Sequence, residues 1–329
     1  MPKDSPKKTP RSTSRSAPTP TTRKTPASSP PKAAPKPPAS RSKTTNPTGP
    51  TSTRAKATPQ RPAKPLTKAQ RADIHDLYQR AVQNVTAEID FVDKVYHTRR
   101  HKRATKLRED FCGTANSSCE WVRRRPTNTA VGLDLDQPTL DWGIAHNLST
   151  LTPKQRDRVT LHNRNVLEPG DAIAMDVILA MNFSYWIFKS RETLRSYFKQ
   201  VHRSLNKDGL FILDFFGGPD SQRILKERRP CRGFTYIWDQ AAHDPLTADY
   251  VCHIHFAFPD GSRIRNAFTY HWRLWTLPEI RELLAEAGFT STTIYLEGDD
   301  GKGGGNGDFQ PAAVGENCLA WLAYIVAQP

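Results

Sequence analysis

Two short runs carry the residue types that a ligand-binding turn needs. LREDFCGTA, residues 107–115, ends an apolar stretch on Glu109 and continues through Phe111, Cys112, Gly113 and Thr114. VGLDLD, residues 131–136, ends on acids, with Asp134 falling 25 residues after Glu109. A glycine lets the backbone come close to a bound group. A carboxylate has enough acceptor sites to take both hydroxyls of a ribose. In an open α/β sheet, such groups gather outside the carboxyl ends of the strands. The chemistry these runs suit is therefore the binding of a nucleoside-bearing cofactor. Asp136 competes with Asp134 for the ribose, and the residue that terminates the strand is the better placed. Asn182 and Ser184 follow another apolar run and either face the same cleft or simply form a turn.

Positioning these residues requires alternating strands and helices, and the patterning supplies them. Residues 67–97 read as one helix with Thr67 as its N-cap, since Ile74, Leu77, Tyr78 and Val82 recur at helical spacing. Strands are expected at 105–111, 129–135, 159–165, 175–182 and 210–216, with helices at 116–125, 137–148 and 190–205 between them. This alternation implies a Rossmann-like, doubly wound α/β sheet. Residues 232–275 change character to short aromatic and β-branched runs, which read as an antiparallel β meander inserted after the fifth strand. A helix at 277–287 and the strands STTIYLEG and CLAWLAYIVA complete seven strands. The run GKGGGNG does not match a phosphate loop and reads as a mobile surface loop.

With these elements in order, the chain resembles the class I S-adenosylmethionine (SAM) dependent methyltransferases, whose first motif is DLGCGTG. Glu109 takes the place of the acid, and Cys112, Gly113 and Thr114 match its CGT core. Phe111 stands at the first glycine and Ala115 at the last. The resemblance extends over residues 105–329 through Asp134, NRNVLEP, DVILAMNFSYW, LNKDGLFILDFF and EIRELLAEAGF, all in the family's order. More narrowly, REDFCGTA together with FTYHWRLWTLPE resembles a bacterial methyltransferase-like group of unassigned substrate. The resemblance implies a seven-stranded methyltransferase sheet, SAM as cofactor, and Glu109, Phe111, Cys112, Gly113, Thr114, Asp134, Asn165, Val166 and Asn182 as its contacts. Gly113 and the two acids carry that expectation despite the substitutions at 111 and 115.

Methyl transfer from SAM needs alignment more than acid–base chemistry, because the methyl is already activated. The meander would roof the acceptor pocket with Tyr236, Trp238, Tyr270 and Trp272. Asp239, His255 and Arg273 are the expected substrate contacts, Arg273 as a fork for a carboxylate and the aromatics as a wall for an amine. Many of these aromatics are equally suited to a buried core. His253 and His255 share one strand face, but a third metal ligand is evident only if Asp249 or His271 is enlisted, so no metal site is expected.

Composition bounds the rest. Residues 1–66 hold nine Lys, six Arg and one Asp, which is +14 of the chain's net +15, with 16 of the 27 Pro and no aromatic residue. Such a segment cannot bury enough apolar surface to offset its ordering entropy, so a disordered basic tail is expected. It suits non-specific contact with nucleic acid, while a small-molecule acceptor is expected for the domain at 67–329. The proline density argues against a transit peptide. No secretory-type apolar run opens the chain, and the longest one, 176–188, is too short to span a bilayer. A cytoplasmic protein with reduced structural cysteines is expected. Two competing readings are an NAD enzyme, opposed by the missing GxGxxG, and a non-catalytic binding protein in which Phe111 blocks the cofactor and the tail supplies the activity.

Overall fold

The computed structural model describes residues 64–301 and 304–329. Residues 1–63, and with them nearly all of the basic tail read from the sequence, lie outside that range.

The helical start expected at 67–97 is three helices, α1 (Lys68–Arg71), α2 (Ile74–Val82) and α3 (Val85–Arg100). Side-chain caps divide it. Asp73 accepts from the backbone N–H groups of His75 and Asp76, and Asn84 accepts from that of Ala87. An Asx side chain competes with the preceding helix for these donors, so the periodicity continues while the axis breaks. Thr67 caps α1 through a capping box with Gln70.

From α3 the chain enters β1 (Lys106–Asp110), α4 (Asn116–Arg124), β2 (Thr129–Asp134), α5 (Gln137–His146), α6 (Pro153–Arg156), β3 (Val159–Asn163), β4 (Met175–Ala180), α7 (Arg191–Ser204) and β5 (Leu205–Gly217). A four-stranded antiparallel sheet follows: β6 (Leu225–Cys231), β7 (Phe234–His243), β8 (Asp249–Ala257) and β9 (Arg263–Arg273). The meander therefore starts at 225, not 232. Lys226, Arg228 and Arg229 disguise its first strand as a charged loop. The chain closes with α8 (Leu277–Ala287), β10 (Ser291–Asp299), β11 (Gly305–Ala312) and β12 (Trp321–Gln328).

The main sheet has the order β3-β2-β1-β4-β5-β12-β10-β11. β1 to β5 are parallel, and β12 runs antiparallel between β5 and β10. This is the expected seven-stranded sheet with an eighth strand at the β10 edge. That strand, β11, falls where the sequence suggested a loop. Its GNGDFQPA carries little strand propensity, and antiparallel pairing with β10 forms it.

Strand alternation divides the core into two layers. Leu107, Val177, Leu179 and Ile212 face α3 and α4 with Ile89, Val92 and Trp121. Ile178, Phe211 and Leu213 face α7 and α8 with Tyr197, Phe198 and Leu284. On the α7 side, Arg108 and Asp110 form a fully buried ion pair at 2.8 Å, and the Tyr197 hydroxyl donates to Asp110 at 2.8 Å. Removing one member of such a pair costs about 3–5 kcal/mol. This network ties β1 to α7 directly beneath the 107–115 turn. All five cysteines are free, with Cys112, Cys119 and Cys252 buried. No helix among the described residues is long and apolar enough to cross a membrane.

Candidate active site

The turn after β1 has left-handed backbone at three alternate residues: Phe111 (φ 57°), Gly113 (φ 51°) and Ala115 (φ 55°). These are the three glycine positions of DLGCGTG. A left-handed conformation costs an L-residue about 1–2 kcal/mol, so the surroundings must enforce it at 111 and 115. Cys112 N–H donates to Leu133 O at 3.0 Å and Ala115 N–H to Cys112 O at 2.8 Å. The Phe111 ring packs against Phe188 and Tyr197, with centroids 5.9 and 5.7 Å away. Cys112 is buried, and burial drives its thiol pKa well up. α5 lies close to the turn because Gly143 has no side chain; a Cβ there would stand 2.5 Å from Thr114 O.

Asp134, at the end of β2, closes this turn. Its Oδ2 accepts from Gly113 N–H at 2.7 Å and its Oδ1 from Asp136 N–H at 2.9 Å. Each oxygen keeps lone-pair capacity for a ligand hydroxyl. Asp136 instead stands at the N-cap position of α5, without a side-chain bond to the helix backbone, and accepts from the Thr139 hydroxyl at 2.7 Å. Leu135, between them, is 66% exposed. Arg164 N–H donates to Asp134 O at 2.9 Å, which brings the Asn165 segment alongside. The Asn165 side chain accepts from Leu167 N–H, and the Val166 side chain belongs to the core.

Glu109 is buried on the α3 and α4 side of the sheet. Its Oε2 accepts from Ser118 N–H at 2.9 Å and the Ser118 hydroxyl at 2.6 Å. Ala115, the N-cap residue of α4, has no side chain able to cap, so Glu109 performs that role from the neighbouring strand. Burial nonetheless pushes its pKa up to about 7.

Two further acids share this side. Glu88 on α3 is buried, and burial raises its pKa. Asp214 on β5 accepts from the N–H groups of Asn182 at 2.7 Å and Phe183 at 2.9 Å. Both donors are left-handed, at φ 58° and 56°. Burial, with Glu88 adding repulsion, pushes Asp214 up to about 7. Among the described residues, none of the three acids has a basic partner within salt-bridge distance. Asn182 thus contributes its backbone to Asp214, and Ser184 donates to Met181 O as a turn former. Sequence reading missed Asp214 and Glu88. Asp214 follows the same rule that singled out Asp134, a lone acid near the carboxyl end of an apolar strand.

The α2 helix crosses above the turn. Gln79 donates to the Thr114 hydroxyl at 2.8 Å, Asn116 donates to Gln83 at 3.1 Å, and Trp142 of α5 donates to Asp73 at 2.8 Å. On its other side, Tyr78 packs against Phe268 of the meander, in one cluster with Tyr270.

The meander's register separates the residues expected to contact substrate. Tyr236, Trp238, Phe268, Tyr270 and Trp272 share one face, with Ile254 and Phe256. Phe268 and Tyr270 of that face meet α2, and Trp272 meets Phe183. Asp239 and His255, expected as substrate contacts, lie on the face opposite these aromatic residues. There Asp239 binds Lys226 at 2.8 Å and His255 Nε2 at 3.0 Å, while His255 Nδ1 accepts from Asn266 N–H. His253 pairs with the Thr269 hydroxyl. The guanidinium of Arg273, the third expected contact, binds Glu279 at 2.9 Å and lies over Trp275 at 3.8 Å. Alternation along a strand was legible in the sequence, but the face turned inward was not.

No protein-family model and no curated protein matches the chain. Solved structures do. A SAM-dependent methyltransferase from Clostridium acetobutylicum superposes with a TM-score of 0.57 at 16% identity, covering 78% of this chain and 98% of that one. DesVI of Streptomyces venezuelae gives 0.56 at 17%, covering 80% and 100%. The sugar N-methyltransferase KedS8 from a Streptoalloteichus species gives 0.52 at 18%, covering 81% and 98%. At these identities the likeness establishes the fold, which is the methyltransferase form of the Rossmann-like sheet.

Proposed function

We propose that this chain is a SAM-dependent methyltransferase acting on a small-molecule acceptor. The observation that carries the reading is the turn at 111–115. It keeps left-handed backbone at all three motif positions, although two are not glycine, and it docks Gly113 N–H on Asp134. The residues fit the cofactor. Asp134 would take the ribose hydroxyls, and the exposed Leu135 offers an apolar surface to the adenine. The ammonium of SAM matches the side of the sheet where the buried Glu88 and Glu109 lack cationic partners among the described residues. Asn165 and Val166 would contribute through their backbone, since their side chains are engaged elsewhere. Thr114, held by Gln79, fixes the turn against α2.

When bound, SAM supplies a methyl activated by its sulfonium. The protein then aligns the acceptor and excludes water. The fold neighbour KedS8, named as a sugar N-methyltransferase, supports a small polar acceptor. The test is calorimetric titration of S-adenosylhomocysteine into the full chain and into Asp134→Asn and Glu109→Gln. We expect micromolar binding to the wild type, weakened at least tenfold in Asp134→Asn. No heat of binding to folded wild-type protein would overturn the reading.

A further inference from the structure

Resting on that methyltransferase reading, we propose that the acceptor is an amine and that Asp214 is the carboxylate that holds it and takes its proton. The geometry closes around Asp214. Phe183, whose N–H donates to the carboxylate, has its ring 6.4 Å from Trp272. Trp272 stacks on Tyr270 at 4.4 Å, with Trp238 6.2 Å from both. Tyr270 packs in one cluster with Tyr78, and the charge of Asp214 contributes to raising the Tyr78 pKa. Through Phe183, a carboxylate at the carboxyl end of β5 is thus linked to the aromatic face of the meander.

This combination selects by charge. An ammonium gains from the ring faces and from the carboxylate. A carboxylate acceptor would meet Asp214 and Glu88 and be repelled, and Arg273, the cation expected to receive it, is bound to Glu279. The titratable groups facing Asp214 are Tyr78 from α2, Glu88 from α3, Tyr185 from the turn after β4 and Tyr324 from β12. None is a cation that would neutralise it. With its proton affinity raised to about 7, Asp214 can exchange a proton near neutrality.

The step balances. The acceptor ammonium gives one proton to the Asp214 carboxylate, which frees the nitrogen lone pair. That pair forms the N–CH3 bond as the C–S bond of SAM breaks. The C–S electron pair stays on sulfur and cancels its positive charge. The proton then leaves Asp214 for water.

The experiment uses full-length protein saturated with S-adenosylhomocysteine and titrated with cyclohexylammonium, cyclohexanol or cyclohexanecarboxylate, read by tryptophan fluorescence. We expect cyclohexylammonium to bind at least tenfold more tightly than the other two. Its affinity should fall at least tenfold in Asp214→Asn and below about pH 7 in the wild type. Trp238→Leu leaves the carboxylate and its two backbone donors in place, and should weaken cyclohexylammonium about 3–30-fold with S-adenosylhomocysteine affinity unchanged. Equal affinity for all three probes, or an Asp214→Asn variant that binds like the wild type, overturns the proposal while the methyltransferase reading stands. Failure of S-adenosylhomocysteine itself to bind removes both.

Discussion

Glu109 shows how one side chain answers to opposing demands. It caps α4, where the helix dipole favours its negative charge, yet it is only 6% exposed and burial wins, raising its pKa to about 7. The native state therefore holds a proton that the unfolded chain releases between about pH 4.5 and 7. A raised carboxyl pKa makes stability fall as pH rises through that window and remain low above it. Glu109→Gln removes this share while keeping an acceptor for Ser118 N–H. We expect the variant's stability relative to wild type to improve steadily from pH 4.5 to 7 and then level off, by roughly 1–3 kcal/mol. Denaturant unfolding at several pH values checks this, and a pH-independent difference would show that Glu109 titrates normally. Phe111 teaches a related lesson: its ring contacts with Phe188 and Tyr197 help hold a backbone that glycine would adopt without strain.

At the scale of elements, the site is a junction of two turns and two helices. The 111–115 turn meets α5 through the missing Cβ of Gly143, and α2 ties that turn to the meander. Gly143→Ala adds about 1 kcal/mol of helix propensity but drives a methyl to 2.5 Å from a backbone oxygen. Overpacking of this kind typically costs about 1–3 kcal/mol. We expect net destabilisation together with weaker S-adenosylhomocysteine binding, because α5 and the turn must separate. A thermal melt and a titration on the same variant test this; a variant more stable than wild type would mean the contact relaxes freely. The meander is the element whose function changed most between sequence and structure. Its aromatic residues share one face, while Asp239 and His255 bind each other on the opposite one.

For the whole molecule, charge is divided unequally. Residues 1–66 carry +14, and residues 67–329 are near neutrality at about +1. If the basic segment contacts nucleic acid, binding must be dominated by phosphate and fall steeply with salt. For about 6–10 phosphate contacts, affinity drops roughly 10³–10⁵-fold between 50 and 200 mM salt. Fluorescence anisotropy of a labelled duplex should show that fall for the full chain and no measurable binding after removal of residues 1–66. A shallow salt dependence would sink the idea. The proposed methyl transfer to a small acceptor does not depend on such a contact, so truncation of residues 1–66 tests the two proposals separately.

The order of strands and helices, the turn after β1 and the acid that ends β2 were all legible in the sequence. They depend on local periodicity, on glycine and on strand termini, which are properties of short segments. The break between α2 and α3 was missed because a capping Asn or Asp leaves the apolar period intact. β11 was missed because long-range pairing, not propensity, makes it a strand. The site's electrostatics were the least legible part. Asp214 gains its two backbone donors from a turn 31–32 residues earlier, and Glu88 reaches the same flank from α3. Whether a carboxylate is buried, and whether a cation accompanies it, depends on which distant elements pack against it. Only the tertiary structure decides that, because burial and charge pairing belong to the assembled fold and to no segment of the chain alone.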